Sequence, residues 1–284
     1  MHTLKSLEKT DFNSLFKAFN EAFIDYEIQI TAEELRALLK RRGFVPELSF
    51  GAFEDDRLIA FTFNGIGFYN DLKTAYDTGT GTIKEFRGRG IATEIFNYSI
   101  PFLKEAGVSQ YLLEVLQHNT KAVSVYRKLG FEVSREFNYF TQVNQEIKIP
   151  ESLASGDFIF REIGPDSKEL FMQFWDYLPS WQNSFEAINR CRENFKITGA
   201  FSKNKLVGYC IFEPVSGDIT QISVHKDYRR KGIGSILLKN ALGDNRNSII
   251  KVINCDITCD SLTEFLAAAG ILLKGKQFEM IRKI

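Results

Sequence analysis

One nine-residue stretch recurs at half the length of the chain, and this limits the possible folds more than any other feature. Residues 84–92 read KEFRGRGIA and residues 226–234 read KDYRRKGIG. They align without gaps at an offset of 142 in a chain of 284 residues. Lys84 faces Lys226, Glu85 faces Asp227, Phe86 faces Tyr228, Arg87 faces Arg229 and Gly90 faces Gly232. The flanks agree as well. LSFGAFEDD, RLIAFTFNGIGFY and LKTAYDTGTGTI precede the first block, and KITGAFSKN, KLVGYCIFEPV and GDITQISV precede the second. These read as strands joined by tight turns at Glu54-Asp55-Asp56 and Ser202-Lys203-Asn204. After each block an amphipathic run ends at glycine (IATEIFNYSIPFLKEAG and IGSILLKNALG), the signature of a helix.

A strand follows in each half (QYLLEVL; SIIKVINCD), then a short helix, a Gly-apolar pair (Gly130-Phe131; Gly270-Ile271) and a closing strand. Helical segments precede the sheet at 10–24 and 31–42, and again at 166–195. The reading is a mixed α/β fold in two tandem copies. Each copy is a mixed, mostly antiparallel sheet flanked by helices. Domains are expected over 1–146 and 157–284. The linker is expected over 147–156, where polarity rises and Pro150 interrupts. One large α/β domain with a chance repeat would not reproduce order, spacing and motif together.

Composition excludes several partners. Lys plus Arg is 36 and Asp plus Glu is 36, so the formal net charge is zero. That argues against non-specific nucleic-acid binding, although a local patch can hold an anion. The four cysteines, Cys191, Cys210, Cys255 and Cys259, all lie in the second half. A disulfide scaffold would not leave its first half without staples. MHTLKSLEKTDF lacks the apolar core of a signal peptide, and the longest apolar runs are too short to span a bilayer. A soluble, cytoplasmic chain with no membrane partner is expected. Cys255 and Cys259, with His225 elsewhere, have no second Cys or His pair nearby. No metal is expected, and these read as buried thiols.

The repeated block is the chemically informative element. A strand, then an Arg- and Gly-rich turn, then a helix makes an anion site. The amides of the first helical turn have no intrahelical partner, and the helix dipole adds positive potential. Glycine allows close backbone approach. Arg87, Arg89, Arg229, Arg230 and Lys231 add charge on the turns. GxxxxGK[ST] is absent, and the glycine spacing does not complete GxGxxG, so the P-loop and dinucleotide-binding motifs are excluded.

Arg87-x-x-Gly90-x-Ala92 and Arg229-x-x-Gly232-x-Gly234 resemble the pyrophosphate loop, Q/R-x-x-G-x-G/A, of the GNAT N-acetyltransferase family. Asn119, Ala122, Tyr126, Gly130 and Phe131 are similarly spaced to the family's Asn-x-x-Ala-x-x-x-Tyr-x-x-x-Gly-Phe. The resemblance covers nearly the whole chain as two copies. It implies acetyl transfer from acetyl-CoA to an amine of a small molecule or peptide, with pantetheine lying between two splayed parallel strands. It implies backbone contacts to the cofactor from Ile83, Lys84 and Glu85. It further implies that Arg87, Gly88, Arg89, Gly90, Ile91, Ala92 and Thr93 hold the diphosphate. In the second half the equivalents are Val224, Arg229, Arg230, Lys231, Gly232, Ile233, Gly234 and Ser235.

Under the resemblance Tyr126 protonates the leaving thiolate; the plain alternative is an aromatic core residue beside Val123, Val125 and Leu129. Asn119 bonds the pantetheine arm, caps the helix that it leads, or does both. Glu114 interrupts an apolar strand and reads either as the base or as a buried structural carboxylate. Asp77 and Thr82 are weaker candidates for the acceptor side. His118 either lines the acceptor pocket or sits on an exposed loop. Phe61, Phe63, Phe68, Tyr69 and Tyr76 suggest either an aromatic pocket or ordinary sheet packing.

The second half departs from the pattern. Leu266 stands where the Tyr is expected, Cys259 stands where the first half has Asn119, and Asp256 aligns with Glu114. The first half is therefore the expected catalyst. Two alternatives stay open: an active second half with a regulatory first, and a non-catalytic acyl-CoA-binding module. A monomer or weak homodimer is expected, since two copies in one chain can reproduce a dimer.

Overall fold

In the computed structural model, which describes residues 2–25, 29–150, 157–164 and 168–284, the alternating runs form strands and the 3.6-period runs form helices, as their spacing requires. The chain divides into two compact units, and neither is a continuous stretch. Unit 1 comprises Met1–Val115, Asn119–Ser134 and Glu279–Ile284, and unit 2 comprises Leu116–His118 and Arg135–Phe278. Residues 151–156 of the expected linker and 165–167 of the expected helical segment lie outside the described residues.

Unit 1 carries β1 (Thr3–Ser6), α1 (Phe12–Ala22), α2 (Ala32–Arg42), β2 (Phe50–Glu54), β3 (Arg57–Tyr69), β4 (Leu72–Thr82), α3 (Ile91–Glu105), β5 (Gln110–Leu116) and α4 (Thr120–Lys128). β1 through β4 pair antiparallel in sequence order. β4 then pairs parallel with β5. Asp11 caps α1 by accepting from Asn13 and Ser14 N–H, and Thr31 with Glu34 forms a capping box on α2. Phe61 and Phe63, fully buried and stacked at 4.2 Å, pack with Leu15, Ala18, Leu35 and Leu39 of the two helices. Ile59, Ala52 and Phe50 pack with Ile91 and Ile95 of α3. The sheet is therefore covered by helices on both faces.

In unit 2, β6 (Glu132–Val143) contributes Arg135–Val143 and pairs antiparallel with β11 (Ile249–Asp256). The other elements are β7 (Phe158–Glu162), α5 (Lys168–Met172), α6 (Phe185–Arg190), β8 (Lys196–Ser202), β9 (Lys205–Glu213), β10 (Asp218–Val224), α7 (Ile233–Asp244), α8 (Asp260–Ala268) and β12 (Leu272–Lys283). β7 to β10 pair antiparallel in order, and β10 meets β11 in parallel.

Two findings differ from the sequence reading. The segment 166–195 is not two full helices: α5 has five residues and α6 has six. Pro179 lies between them, and Ser184 starts a new helix by accepting from Ala187 N–H. The closing strands also do not each complete their own half. Most of β6 belongs with unit 2, and the end of β12 belongs with unit 1. There Ser134 Oγ donates to Glu279, and Ile284 N–H donates to Ser109 O. A strand pattern specifies that a segment is extended, not which edge it joins.

Candidate active site

The site begins where parallel pairing stops. β4 and β5 are in register only from Thr74 to Tyr76, opposite Gln110 to Leu112. Beyond that point the strands part. β10 and β11 share a single registered pair, Asp218 with Lys251, and part likewise. A bulge sits at the same place in each unit. Register slips past Thr78 on β4 and past Thr220 on β10, positions separated by the repeat offset. A bulge bends its strand and re-aims side chains, which helps each cleft open.

The glycine turn stands at the mouth of each cleft. Gly90 and Gly232 precede α3 and α7 at φ +80°, the left-handed region, with no side chain capping either helix. The first intrahelical bonds are Glu94 N–H to Gly90 O and Ile236 N–H to Gly232 O. The amides of Ile91, Ala92 and Thr93, and of Ile233, Gly234 and Ser235, precede them and face outward at the positive end of each helix. Gly88 (φ +78°) and Arg230 (φ +62°) complete the two turns.

The motif arginines act as braces. Arg87 donates from Nε to Thr82 O (3.1 Å), from Nη1 to Asp25 (2.7 Å) and from Nη2 to Ala22 O (2.9 Å). Lys84 also reaches Asp25, and the two cations hold its carboxyl below the usual range, Arg87 most strongly. Arg229 repeats the pattern, donating to Val224 O (3.0 Å) and Asp176 (2.7 Å). Arg89 bonds Glu85 O and packs on Phe86, and Lys231 packs on Tyr228. Arg87 and Arg229 are thus engaged by the protein itself.

Two side-chain pairs flank the cleft of unit 1. Tyr126 donates its hydroxyl to Asp77 Oδ2 (2.9 Å), which also accepts from Thr80 Oγ1 (2.9 Å), while Gly79 N–H bonds Oδ1. Burial raises the pKa of both groups, so Tyr126 keeps its proton and Asp77 sits above the ordinary carboxylate value. On the other side Tyr76 donates to Glu114 (3.1 Å), and Arg42 of α2 lies over the Tyr76 ring at 5.9 Å. Burial, then Glu114, raises the Tyr76 pKa. Tyr76 and Asp77 are consecutive on β4, so their side chains leave opposite faces. The phenol–acid pair is on the α4 face and Glu114 is on the α2 face. Asn119 caps α4, accepting from Ala122 N–H (3.2 Å). Phe61, Phe63 and Tyr69 are packing residues, while Phe68 is 61% exposed.

Unit 2 has a cavity of about 490 Å³ lined by Val224, Arg229, Arg230, Gly232–Ser235, Tyr177, Cys259 and Ser261, among others. Its inner wall is a closed hydrogen-bond chain. Trp175 Nε1 donates to Tyr209 Oη (2.8 Å), Tyr209 to Gln221 (2.7 Å) and Gln221 to Asn183 O (2.6 Å). Asp256, which aligns with Glu114, accepts from Thr258 N–H (3.0 Å) and Thr258 Oγ1 (2.7 Å). Among the described residues no group of three His, Cys, Asp or Glu is placed to hold a metal, and no helix is long and apolar enough to cross a membrane.

Comparison with known proteins decides the family. The model of the acetyltransferase (GNAT) family matches residues 12–131 and again 160–258. The chain belongs to the GNAT acetyltransferase family. Its two GNAT copies lie in tandem, as the repeat requires. N-alpha-acetyltransferase 30 of Schizosaccharomyces pombe is 32% identical over 97 residues, 34% of this chain. The chain spans 65% of that relative's length. A GCN5-related N-acetyltransferase from Sphaerobacter thermophilus superposes with a TM-score of 0.74 at 14% identity, over 99% of this chain and 95% of that one. A tandem GNAT protein from the clavulanic acid biosynthesis pathway superposes with a TM-score of 0.71 at 12% identity, over 100% and 98%. At these identities the solved structures speak for the GNAT fold alone.

Within this GNAT chain, sequence reasoning placed Asp77 with the acceptor and missed that it meets Tyr126. Thr80 and Arg42 carried no assigned role, and Tyr76 was read only as pocket or packing aromatic, not as the partner of Glu114. The glycines of DTGTGT, unusual inside a strand, signal the bulge that makes the Asp77 contacts.

Proposed function

We propose that the protein transfers the acetyl group of acetyl-CoA to an amine of a small molecule or peptide, by direct attack in the cleft of unit 1. One observation carries this reading. The only splayed parallel pair of unit 1 among the described residues has a Gly90 anion turn at its mouth and Tyr126 and Glu114 on opposite faces. Acetyl-CoA is a substrate here. Its diphosphate lies on the amides of residues 90–93, with Arg87 bracing the turn, and the strand-end residues Ile83 to Glu85 border the pantetheine arm.

The amine enters on the α2 face, and Glu114 accepts its proton, directly or through water. The neutral nitrogen attacks the thioester carbon, the C–N bond forms, the C–S bond breaks, and the second nitrogen proton leaves to water. Tyr126 gives its proton to the departing thiolate. Asp77 holds the phenol in place, and when protonated it returns a proton to Tyr126 Oη. Tyr126 is suited to this because burial keeps it neutral, so it donates without first ionising.

Unit 2 keeps the turn and the cavity but lacks the phenol on α8. This supports reading it as an acyl-CoA site with different chemistry, its contacts being those of Val224, Arg229–Lys231 and Gly232–Ser235. The test is thiol release from acetyl-CoA over a panel of free amino acids, peptides with free α-amines and polyamines, in parallel with calorimetry. Release with at least one class, lost in Glu114→Gln and Tyr126→Phe, is expected. Binding without release for every amine overturns the transferase reading in favour of a binding module.

A further inference from the structure

We propose that unit 2 carries a latch across its own acyl-CoA cleft: the Ser261–Asp176 hydrogen bond ties α8 to the Gly232 turn, and an acyl-CoA enters only when that bond opens. The inference rests on reading the Gly232 turn as an acyl-CoA site, and adds how entry to that site is controlled.

The latch spans the parting strands. β10 and β11 share the registered pair Asp218 with Lys251 and separate beyond it. β10 ends at Val224 and leads into the turn, and β11 ends at Asp256 and leads into α8. The turn and the start of α8 therefore stand on opposite sides of the open end of the cleft. Arg229 is held on the β10 side, with Nε donating to Val224 O (3.0 Å). Ser261, the second residue of α8, is on the β11 side. Asp176, between α5 and α6, joins them. Its Oδ2 accepts from Arg229 Nη2 (2.7 Å) and from Ser261 Oγ (2.8 Å). All three residues line the cavity that holds the turn.

One oxygen atom thus bridges the opening. A methylene chain needs about 3.5–4 Å to the heavy atoms on either side of it. Two groups that hydrogen-bond the same oxygen stand too close together to admit such a chain between them. The arm that joins the diphosphate of acyl-CoA to its thioester runs from the turn into the cleft, and so meets the bridge. Its two ends are unequal. Arg229 and Asp176 form an ion pair, whereas Ser261 adds one neutral hydroxyl from an exposed position. The Ser261 end is the one that yields.

Unit 1 makes the second bond of this aspartate differently. Asp25 stands in the matching place, between α1 and α2, and braces Arg87 through Oδ2. Its Oδ1 accepts from Lys84 (3.0 Å), on the same turn, so both bonds lie on the β4 side of the cleft. The second residue of α4 is Lys121, exposed, where α8 has Ser261. The two copies share the brace and differ in where the aspartate's other bond goes.

The experiment uses the full chain and CoA. Both tryptophans, Trp175 and Trp181, lie in unit 2, and Trp175 lines the cavity, so their fluorescence reads this site. Stopped-flow mixing gives the association rate there, and calorimetry gives the number and affinity of CoA sites. Ser261→Ala is expected to bind CoA at unit 2 about fivefold faster and about fivefold tighter than wild type, the effect of one exposed hydrogen bond. Ser261→Thr, which keeps the donor, is expected to match wild type, and thermal melts check that both variants are folded. Equal rates and affinities in wild type and Ser261→Ala overturn the latch and leave the acyl-CoA reading of unit 2 standing. Weaker binding in Ser261→Ala makes Ser261 a contact of the ligand and also overturns the latch. A single calorimetric site with no tryptophan response in any of the proteins overturns the acyl-CoA reading of unit 2 and the latch with it.

Discussion

Tyr126 and Asp77 share a hydrogen bond of 2.9 Å between two groups that burial pushes toward their neutral forms. Replacing the hydroxyl tests the first. In Tyr126→Phe, kcat for amine acetylation is expected to fall about 100-fold or more, while KM for acetyl-CoA changes little, the pattern for a proton donor that acts in the transition state. An unchanged kcat would remove Tyr126 from the acid's role. Asp77 makes a separate prediction through linkage. Its folded pKa lies above the unfolded 3.8, so between those two values the folded state binds more protons. The stability this contributes is full below 3.8 and is lost as pH rises through the folded pKa. Asp77→Asn should flatten that decline in urea-unfolding free energy. A wild-type slope retained in the variant would assign the effect to another group. Both residues are plain in the sequence, but that they touch is not, because 49 positions separate them and only the β4 bulge and the face of α4 bring them together.

The glycine turn is legible at the level of the element, since a short motif before a helix demands a left-handed residue and both copies have one. Gly90→Ala should cost about 1–2 kcal/mol from the φ of +80° alone, because a Cβ there meets no atom within 4 Å. Acetyl-CoA affinity should weaken with it, read by calorimetry beside a thermal melt. Full affinity would mean that the turn does not hold the diphosphate. Gly65 differs in kind. A Cβ there would lie 2.0 Å from Arg42 O, where α2 ends against β3. Gly65→Ala should therefore destabilise by about 3 kcal/mol through overpacking and move Arg42 off Tyr76. A melting temperature equal to wild type would show that this contact is soft. Nothing in the sequence marks Gly65, since a strand glycine can also be a plain bulge. The braces of Arg87 and Arg229 were equally hidden. A basic residue beside a phosphate turn reads as an anion ligand, and only the positions of Asp25 and Asp176 turn it into a strut.

For the whole molecule, the composition of the units makes a firm prediction about dissection. Unit 1 includes Glu279–Ile284, where Ser134 bonds Glu279, Ile284 bonds Ser109 and Arg282 lies over Phe96 at 5.4 Å. Deleting residues 279–284 should lower the melting temperature and reduce amine acetylation, although no residue assigned to the site is removed. Expressing 1–146 alone should fail similarly, since it lacks those residues and leaves β6 without β11. A stable, active 1–146 fragment would refute this dependence.

By itself the sequence determined the two-fold repetition, most of the order of elements and the glycine turns that open α3 and α7. Periodicity, caps and glycine placement are local, and local patterns survive in one dimension. Tertiary structure decided which strand edge each closing strand joins and that Arg87 and Arg229 brace their turns. It also decided that Asp77 meets Tyr126. Those are contacts between residues far apart in the chain, set by packing and burial, which no local pattern encodes.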